Sequence, residues 1–438
     1  MNGPQSGLPR EPVNRLTRPF LRFLRIEAMA GIILLGSTLL ALVLANSPSS
    51  DSFLAFWDLP AGIYVGGVEV SRSIKHWIND GLMTFFFFVI SLELKREIVL
   101  GELRHPRMAA VPIAAAVGGM IVPVGVFLLI VGTGSGARGW GTVMSTDTAF
   151  VIGCLAVLGS RVPISLRLFL LSLAIFDDVG AILVVAVFYG EGLNLMPLVA
   201  TALGLVLVTV IARVGVRVIP IYFALGGGIW FALDASGIHA TLTGVLLGLM
   251  TPARSWVSDR RLHAILDRVT AYPPGDHWTG DMAARGDLYQ AGVATREVLS
   301  PVERLEMALH PWVAFVILPL FALANAGVPF ARADFDPVLT TAIVAAFVIG
   351  KPSGVFLFSL LAVKSGLGVR PQSLSWSLLA AGGLLTGVGF TMALFMADLS
   401  FEAHILDSVK LSILGASVIS ALMGLIALAW ITSSGSRR

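Results

Sequence analysis

The sequence predicts an all-α polytopic membrane protein with about twelve transmembrane helices and both termini on the cytoplasmic side. Three observations carry that expectation. Hydrophobic residues make up 56% of the 438-residue chain and charged residues only 13%, against about 25% charged for a soluble domain. Segments of the length a bilayer demands, roughly 20 mainly apolar residues, recur from one end to the other. Lys and Arg gather in alternate connections between those segments, as the positive-inside rule requires.

The apolar segments lie near 28–45, 77–98, 108–131, 139–158, 164–189, 196–212, 218–234, 238–250, 310–327, 339–363, 374–396 and 409–431. The first follows five Arg in residues 1–25. That layout has the shape of a signal peptide, but the 18-residue run AMAGIILLGSTLLALVLA is long for one and many spans follow, so it reads as the first transmembrane helix. Residues 1–26 are then a cytoplasmic segment, 27–431 the transmembrane domain and 432–438 a cytoplasmic tail. With the N-terminus inside, 24 of the 30 Lys and Arg fall on the cytoplasmic side. Only Arg72, Lys75, Arg138, Arg332 and Lys410 fall outside, and Lys351 belongs to neither side. The long connection 251–309 is polar, mixed in charge and carries Pro-Pro-Gly at 273–275. It reads as a cytoplasmic surface insertion with a short helix near 258–270, or as a regulatory segment. The lone Cys154 excludes an intramolecular disulfide.

Two spans are interrupted. GWGTVMSTDTAFVIG (139–153) is poor in strong helix formers around Thr146-Asp147-Thr148, and GGLLTGVGFTMALF (382–395) holds Gly387 and Gly389 about Val388. Unwound backbone inside a bilayer survives only where protein or water satisfies its polar groups. Two broken helices in corresponding positions of two halves suggest inverted repeats whose discontinuous helices cross at a binding site. Glycine can equally serve close helix packing. At such a crossing Asp147 can offset the positive N-terminal helix ends and Lys351 the negative C-terminal ends.

Ionisable residues within spans are rare and usually functional. Here they are Asp80, Glu93, Asp147, Asp177, Asp178 and Lys351. Asp177 and Asp178, in LSLAIFDDVGAILVVAVFYG, stand midway along the span 164–189, and Lys351 is similarly deep in AIVAAFVIGKPSGVFLFSLL. A structural salt bridge needs one acid and one base, whereas three deep acids face one lysine. The surplus carboxylates can take up a proton or a small hard cation, for which oxygen ligands suit Na⁺ or Li⁺. A cation and protons competing for the same oxygens is the chemistry of an antiporter. A passive cation channel would lack proton counterflow. An intramembrane aspartyl protease would place its two acids on separate helices and has no use for Lys351.

Ten ordered stretches carry a resemblance: WINDGLM (77–83), LELKRE (92–97), STDTAF (145–150), GSRVP (159–163), AIFDDVGAI (174–182), SGIHATLTG (236–244), LHPWVAF (309–315), LPLFALANAGV (318–328), GKPSG (350–354) and GVGFTM (387–392). They resemble the NhaA family of sodium/proton antiporters, from about residue 20 to 431, broken mainly by a loop near 255–300 that looks longer than the family pattern. The resemblance implies a twelve-helix fold with inverted repeats, multi-pass in the bacterial cytoplasmic (inner) membrane. It implies electrogenic, pH-regulated export of Na⁺ or Li⁺ in exchange for protons, with no bound cofactor and no ATP. The expected partners are these ions, the lipid bilayer and a second copy in a homodimer; no nucleic acid is expected. By the same resemblance Asp178 is the central cation ligand and proton carrier, and Asp177 is its neighbour, paired with Lys351. Na⁺ would then bind at Asp177 and Asp178. Asp147 and Thr146 match the unwound-segment residues, and Glu93, Arg96, Glu97, Glu306 and His310 a cytoplasmic cluster tied to pH response. Asp80 and His239 match positions with weaker implied roles. Met307 departs from the pattern, which often has a second histidine there. Dimerisation is expected through loop 46–76, where VEVSRSIKHW can pair as a hairpin.

Overall fold

The computed structural model describes residues 27–65, 68–101, 106–190, 192–216, 218–272, 282–330, 335–371 and 373–435. The N-terminal segment 1–26, the Pro-Pro-Gly at 273–275, Arg332 and the last three residues of the tail lie outside them. Every one of the apolar segments foreseen from sequence carries helix. In chain order the elements are α1 (Glu27–Ala45), α2 (Ser50–Asp58), a hairpin of β1 (Pro60–Val65) and β2 (Val68–Ser73), and a π-helical turn (Trp77–Leu82) leading into α3 (Met83–Val99). Next come α4 (Pro106–Val131), a 3-10 helix (Ser135–Val143), α5 (Thr148–Leu158), α6 (Ile164–Phe188), α7 (Leu195–Val214), α8 (Ile219–Ala235) and α9 (Leu242–Met250). α10 (Asp259–Thr270) and α11 (Met282–Glu297) follow. The chain continues with α12 (Pro301–Asn325) and α13 (Pro337–Lys364), each with an internal π turn, then α14 (Trp376–Leu385), α15 (Phe390–Ser400) and α16 (Ala403–Gly435).

Among the described residues six helices are long and apolar enough to cross a membrane, and up to nine spans result if each bent pair counts as one. The pairs bend by 115° between α1 and α2, 44° between the 3-10 helix and α5, and 49° between α14 and α15. The last two bends fall at the interruptions read from sequence. α7 leaves Leu195, Met196, Leu203 and Val206 exposed, the surface expected of a helix with an apolar medium around it. A hairpin does form in loop 46–76, but of VEVSRSIKHW only Val68–Ser73 is strand: Val68 pairs with Val65 and Ser73 with Pro60, antiparallel, and Ile74–His76 is helical.

The helices group into two compact units. The first comprises Met1–Asn79, Ala110–Val184 and Ala314–Arg438. Here α4 and α13 touch backbone to backbone: a Cβ on Gly354 would collide with the Gly118 carbonyl, and one on Gly118 with that of Gly354. The reciprocal glycines let α13 press Lys351 towards α4 and α6. The second unit comprises Asp80–Ala109 and Val185–Val313. In it α9 lies on α3, Gly244 and Gly248 meeting the backbone at Thr84 and Phe88. Leu92, Ala253 and Val302 form a small buried core at the start of α12, whose first turn is held by a Ser300/Glu303 capping box.

The expected short helix near 258–270 is α10. It packs on α11, with Tyr272 donating to Asp287 at 3.1 Å. The connection is closed at its base, where Val257 N donates to Glu297 O at 3.3 Å and Glu297 pairs with Arg304 at 2.6 Å.

Candidate functional site

Residues 144–147 leave the helical path between the 3-10 helix and α5, and residues 386–389 do so between α14 and α15. Each break exposes backbone groups that lipid cannot satisfy. The two breaks satisfy one another. Asp147 N donates to Val388 O at 2.7 Å, and Thr146 Oγ1 to Thr386 O at 3.1 Å. Neither Gly387 nor Gly389 has a positive φ. Glycine is needed there for space, since a Cβ on Gly387 would strike the Phe347 carbonyl and one on Gly389 the Phe347 ring. Broken backbone and close packing thus coincide at these residues.

Asp147 is 2% exposed. Its Oδ1 accepts from Phe150 N at 2.9 Å, capping α5. Its Oδ2 accepts from Thr391 N at 2.9 Å and Thr391 Oγ1 at 2.6 Å, in the first turn of α15. One carboxylate therefore serves two helix N-termini, where the peptide dipoles concentrate positive charge. Lys351 is fully buried. Its Nζ lies 3.2 Å from Asp177 Oδ2 and donates to the Met144 carbonyl, at the end of the 3-10 helix. Of the two helix C-terminal ends at the crossing, that is the one Lys351 reaches.

α6 passes this crossing with Asp177 at 0% and Asp178 at 3% exposure. Thr146 Oγ1 shares its single proton between Asp177 Oδ2, at 2.6 Å, and the Thr386 carbonyl, and Thr148 Oγ1 donates to Asp178 Oδ2 at 3.3 Å. Asp177 Oδ1 accepts no hydrogen bond among the described residues. Gly119 of α4 faces it; a Cβ there would stand 4.0 Å from Asp177 Oδ1 and would crowd Val355 at 3.0 Å. Carboxylate and hydroxyl oxygens thus converge with a lysine in a water-poor setting. Such a set can hold a proton or exchange it for a hard monovalent cation.

The remaining sequence candidates lie in the second unit. Glu93, Arg96 and Glu97 sit on α3 and Glu306 and His310 on the first turns of α12. Arg96 joins the two helices, 2.9 Å from Glu306 Oε1 and 3.1 Å from Glu97 Oε1. Glu306 is buried and its Oε2 accepts nothing among the described residues, whereas Met307 is 68% exposed and His310 is exposed. Asp80 lies in the π turn, its carbonyl accepting from Trp230 Nε1 at 3.4 Å. His239 lies in the turn before α9, its carbonyl accepting from Leu242 N at 3.1 Å.

Sequence reasoning missed several polar groups. Thr391 and Thr148 were visible only as small residues beside the breaks; a hydroxyl in the first two residues past a break is the usable signal, since helix starts recruit such groups. A second correction concerns Lys410, which the charge pattern placed among the outer loop residues. It is 3% exposed inside α16 and 2.8 Å from Asp398 Oδ1. Asp398 also accepts from Asn79 Nδ2 at 3.1 Å, and Asn79 and Asn325 exchange amide hydrogen bonds at 2.7 and 3.2 Å. Hydropathy closed the eleventh segment at 396, so Asp398 fell into an assumed loop, while Lys410, at the start of the segment 409–431, was counted with the outer side.

Comparison with known proteins gives one answer. The family model described as Na+/H+ antiporter 1 matches residues 21–428. The chain is 69% identical over 437 residues to a protein of Rhizobium meliloti (strain 1021) named Na(+)/H(+) antiporter NhaA, covering all of both chains. It is 55% identical to Na(+)/H(+) antiporter NhaA 2 of Acidiphilium cryptum (strain JF-5), over 96% of this chain and 94% of that one. It is 50% identical to Na(+)/H(+) antiporter NhaA 2 of Vibrio vulnificus (strain CMCP6), again over 96% and 94%. Antiporters are secondary transporters, not enzymes. A match over nearly the whole length, joined to apolar helices that make this a multi-pass membrane protein, means that the chain belongs to the NhaA family of Na⁺/H⁺ antiporters.

Proposed function

We propose that this chain is a secondary active antiporter that exports Na⁺ or Li⁺ in exchange for entering protons, without a bound cofactor. The observation that carries this reading is the Asp177–Asp178 pair at the crossing of the two broken helices, with Lys351, Thr146 and Asp147 around it. In the proton-loaded state Asp178 and the Asp177–Lys351 pair hold protons. An arriving cation takes carboxylate oxygens, and the protons it displaces leave on the opposite course. Because Lys351 shares Asp177 with the cation, loading the cation weakens that ion pair. With two groups able to hold a proton and one site for a monovalent cation, more than one proton can move per cation, which makes exchange electrogenic. The setting proposed is the bacterial cytoplasmic membrane, with twelve spans in inverted repeats and both termini inside. A homodimer forms through the β1–β2 hairpin.

The test is purified protein in sealed lipid vesicles with an internal pH-reporting dye. A Na⁺ or Li⁺ pulse is expected to drive proton movement, faster when the membrane potential is collapsed by an ionophore. Cation flux without proton movement would make the protein a passive channel. Cleavage of a membrane peptide, with no ion flux, would favour a protease.

The Arg96 bridge between α3 and α12 supports placing the pH response there. Glu93→Gln and Glu306→Gln are each expected to move the pH profile of exchange by about one unit without abolishing it. Met307→His is expected to steepen the profile, by adding a group that titrates near neutrality beside Glu306. Activity measured from about pH 6 to 9 decides. Profiles that superimpose on the unmutated protein in all three variants would leave proton competition at Asp177 and Asp178 as the sole source of pH dependence.

A further inference from the structure

We infer that Thr148 is a second hydroxyl ligand of the transported cation, acting at Asp178 as Thr146 acts at Asp177; this rests on the antiport reading above. Asp147 has φ −82° and ψ 100°, an extended conformation. In extended chain successive side chains alternate, so residues on either side of Asp147 share a face opposite to its own. Asp147 accordingly turns to Thr391, while Thr146 and Thr148 both turn to α6. Asp177 and Asp178 are neighbours on that helix, fanned apart by the helical twist. Each hydroxyl finds one carboxylate: Thr146 Oγ1 reaches Asp177 Oδ2 at 2.6 Å and Thr148 Oγ1 reaches Asp178 Oδ2 at 3.3 Å. The sequence Thr-Asp-Thr in an unwound segment thus presents two neutral oxygens to two acids and one acid to the facing helix.

The chemistry follows from the hydroxyl itself. It carries one donor and two lone pairs. Beside a carboxylate without a cation it donates its proton, as here. When a small cation sits on Asp178, the same oxygen can turn a lone pair to the ion. A neutral oxygen is a suitable ligand for Na⁺ or Li⁺, and it replaces part of the ion's hydration without adding charge. Thr148 is only half-buried, whereas Thr146 is 1% exposed. The looser contact of Thr148 gives its side chain freedom to adjust to an ion, whereas Thr146 is committed to Asp177 and to the Thr386 carbonyl.

The experiment compares Thr148→Val, Thr148→Ala and Thr148→Ser in two measurements, both at one fixed pH. One is Na⁺-driven proton movement in sealed vesicles. The other is Na⁺ binding to purified protein in detergent by calorimetry. Thr148→Val is expected to raise half-saturating Na⁺ about fivefold, the weight of one hydroxyl contact, with little change in maximal rate. Calorimetric affinity should fall by the same factor, and Thr148→Ser should keep both near the unmutated values. If Thr148→Val does not fold, the Ala and Ser variants still differ by the hydroxyl alone. Equal Na⁺ half-saturation in Ala and Ser, or a Val variant indistinguishable from the unmutated protein, overturns the inference. No Na⁺ response from the unmutated protein in either measurement overturns the antiport reading instead.

Discussion

Asp178→Asn is expected to abolish Na⁺-dependent proton movement while leaving folded protein in the membrane. The amide has the shape of the carboxyl and can still accept from Thr148, whose hydroxyl donates to Asp178 Oδ2 at 3.3 Å, so packing on α6 is preserved. What it loses is the charge and the exchangeable proton. Depriving a buried ion of its partner costs about 3–5 kcal/mol in soluble proteins, roughly a hundredfold or more in affinity, and an amide cannot carry a proton back. Vesicle exchange and the detergent melting temperature, measured together, separate the outcomes. Near-normal exchange would remove Asp178 from the carrier role, whereas a collapsed melting temperature would make its role structural.

Lys351→Ala is expected to cost stability as well as transport. Nζ lies 3.2 Å from Asp177 Oδ2 and is fully buried, and it also donates to the Met144 carbonyl. Alanine leaves Asp177 without its ammonium and the end of the 3-10 helix without its donor, for about 3–5 kcal/mol by the same argument. A lower melting temperature in detergent is the readout. Adding Asp177→Asn removes the stranded charge and should restore much of the stability without restoring exchange. Transport recovered in the double variant would reduce the pair to a structural bridge, and an unchanged melting temperature in Lys351→Ala would mean that the lysine carries no paired charge.

Much of this arrangement is legible in the sequence, for reasons that differ from residue to residue. Asp177, Asp178 and Lys351 stand out because a bilayer has no water for an ionised group, so each must be matched by protein. The breaks at 144–147 and 386–389 are legible because their residues make poor helix. Which atoms meet there is not. Nothing in the chain order says that Val388 O receives Asp147 N, or that Thr391 completes the Asp147 carboxylate, because those contacts join residues more than 200 positions apart and arise only when two breaks face each other. The π turns Val313–Ile317 and Ala346–Gly350 are invisible to hydropathy, which cannot tell one helical pitch from another. Asp398 and Lys410 were missed by the opposite error. A hydropathy window closes one span before Asp398 and leaves Lys410 at the first turn of the next, where a charge reads as a span end, although the two charges cancel in space.

The position of that cancelled pair has a mechanical consequence. α15 begins with Thr391 clamped on Asp147 and ends at Asp398 clamped on Lys410 and Asn79. Only about two helical turns separate the clamps, too few to bend, so α15 behaves as a strut. A displacement at its first turn must appear at its last as a displacement of similar size. A motion that turns the crossing from one side of the membrane to the other therefore has two courses. It can carry the strut with both clamps closed, together with the Asn79, Asn325 and Lys410 side chains. Otherwise it must open one clamp and leave a charge briefly unmatched, at about 3–5 kcal/mol. In the second course that charge defines the top of a barrier, and the speed of the cycle is set at the clamp that opens, Asp147 at the crossing or Asp398 at the opposite end of α15.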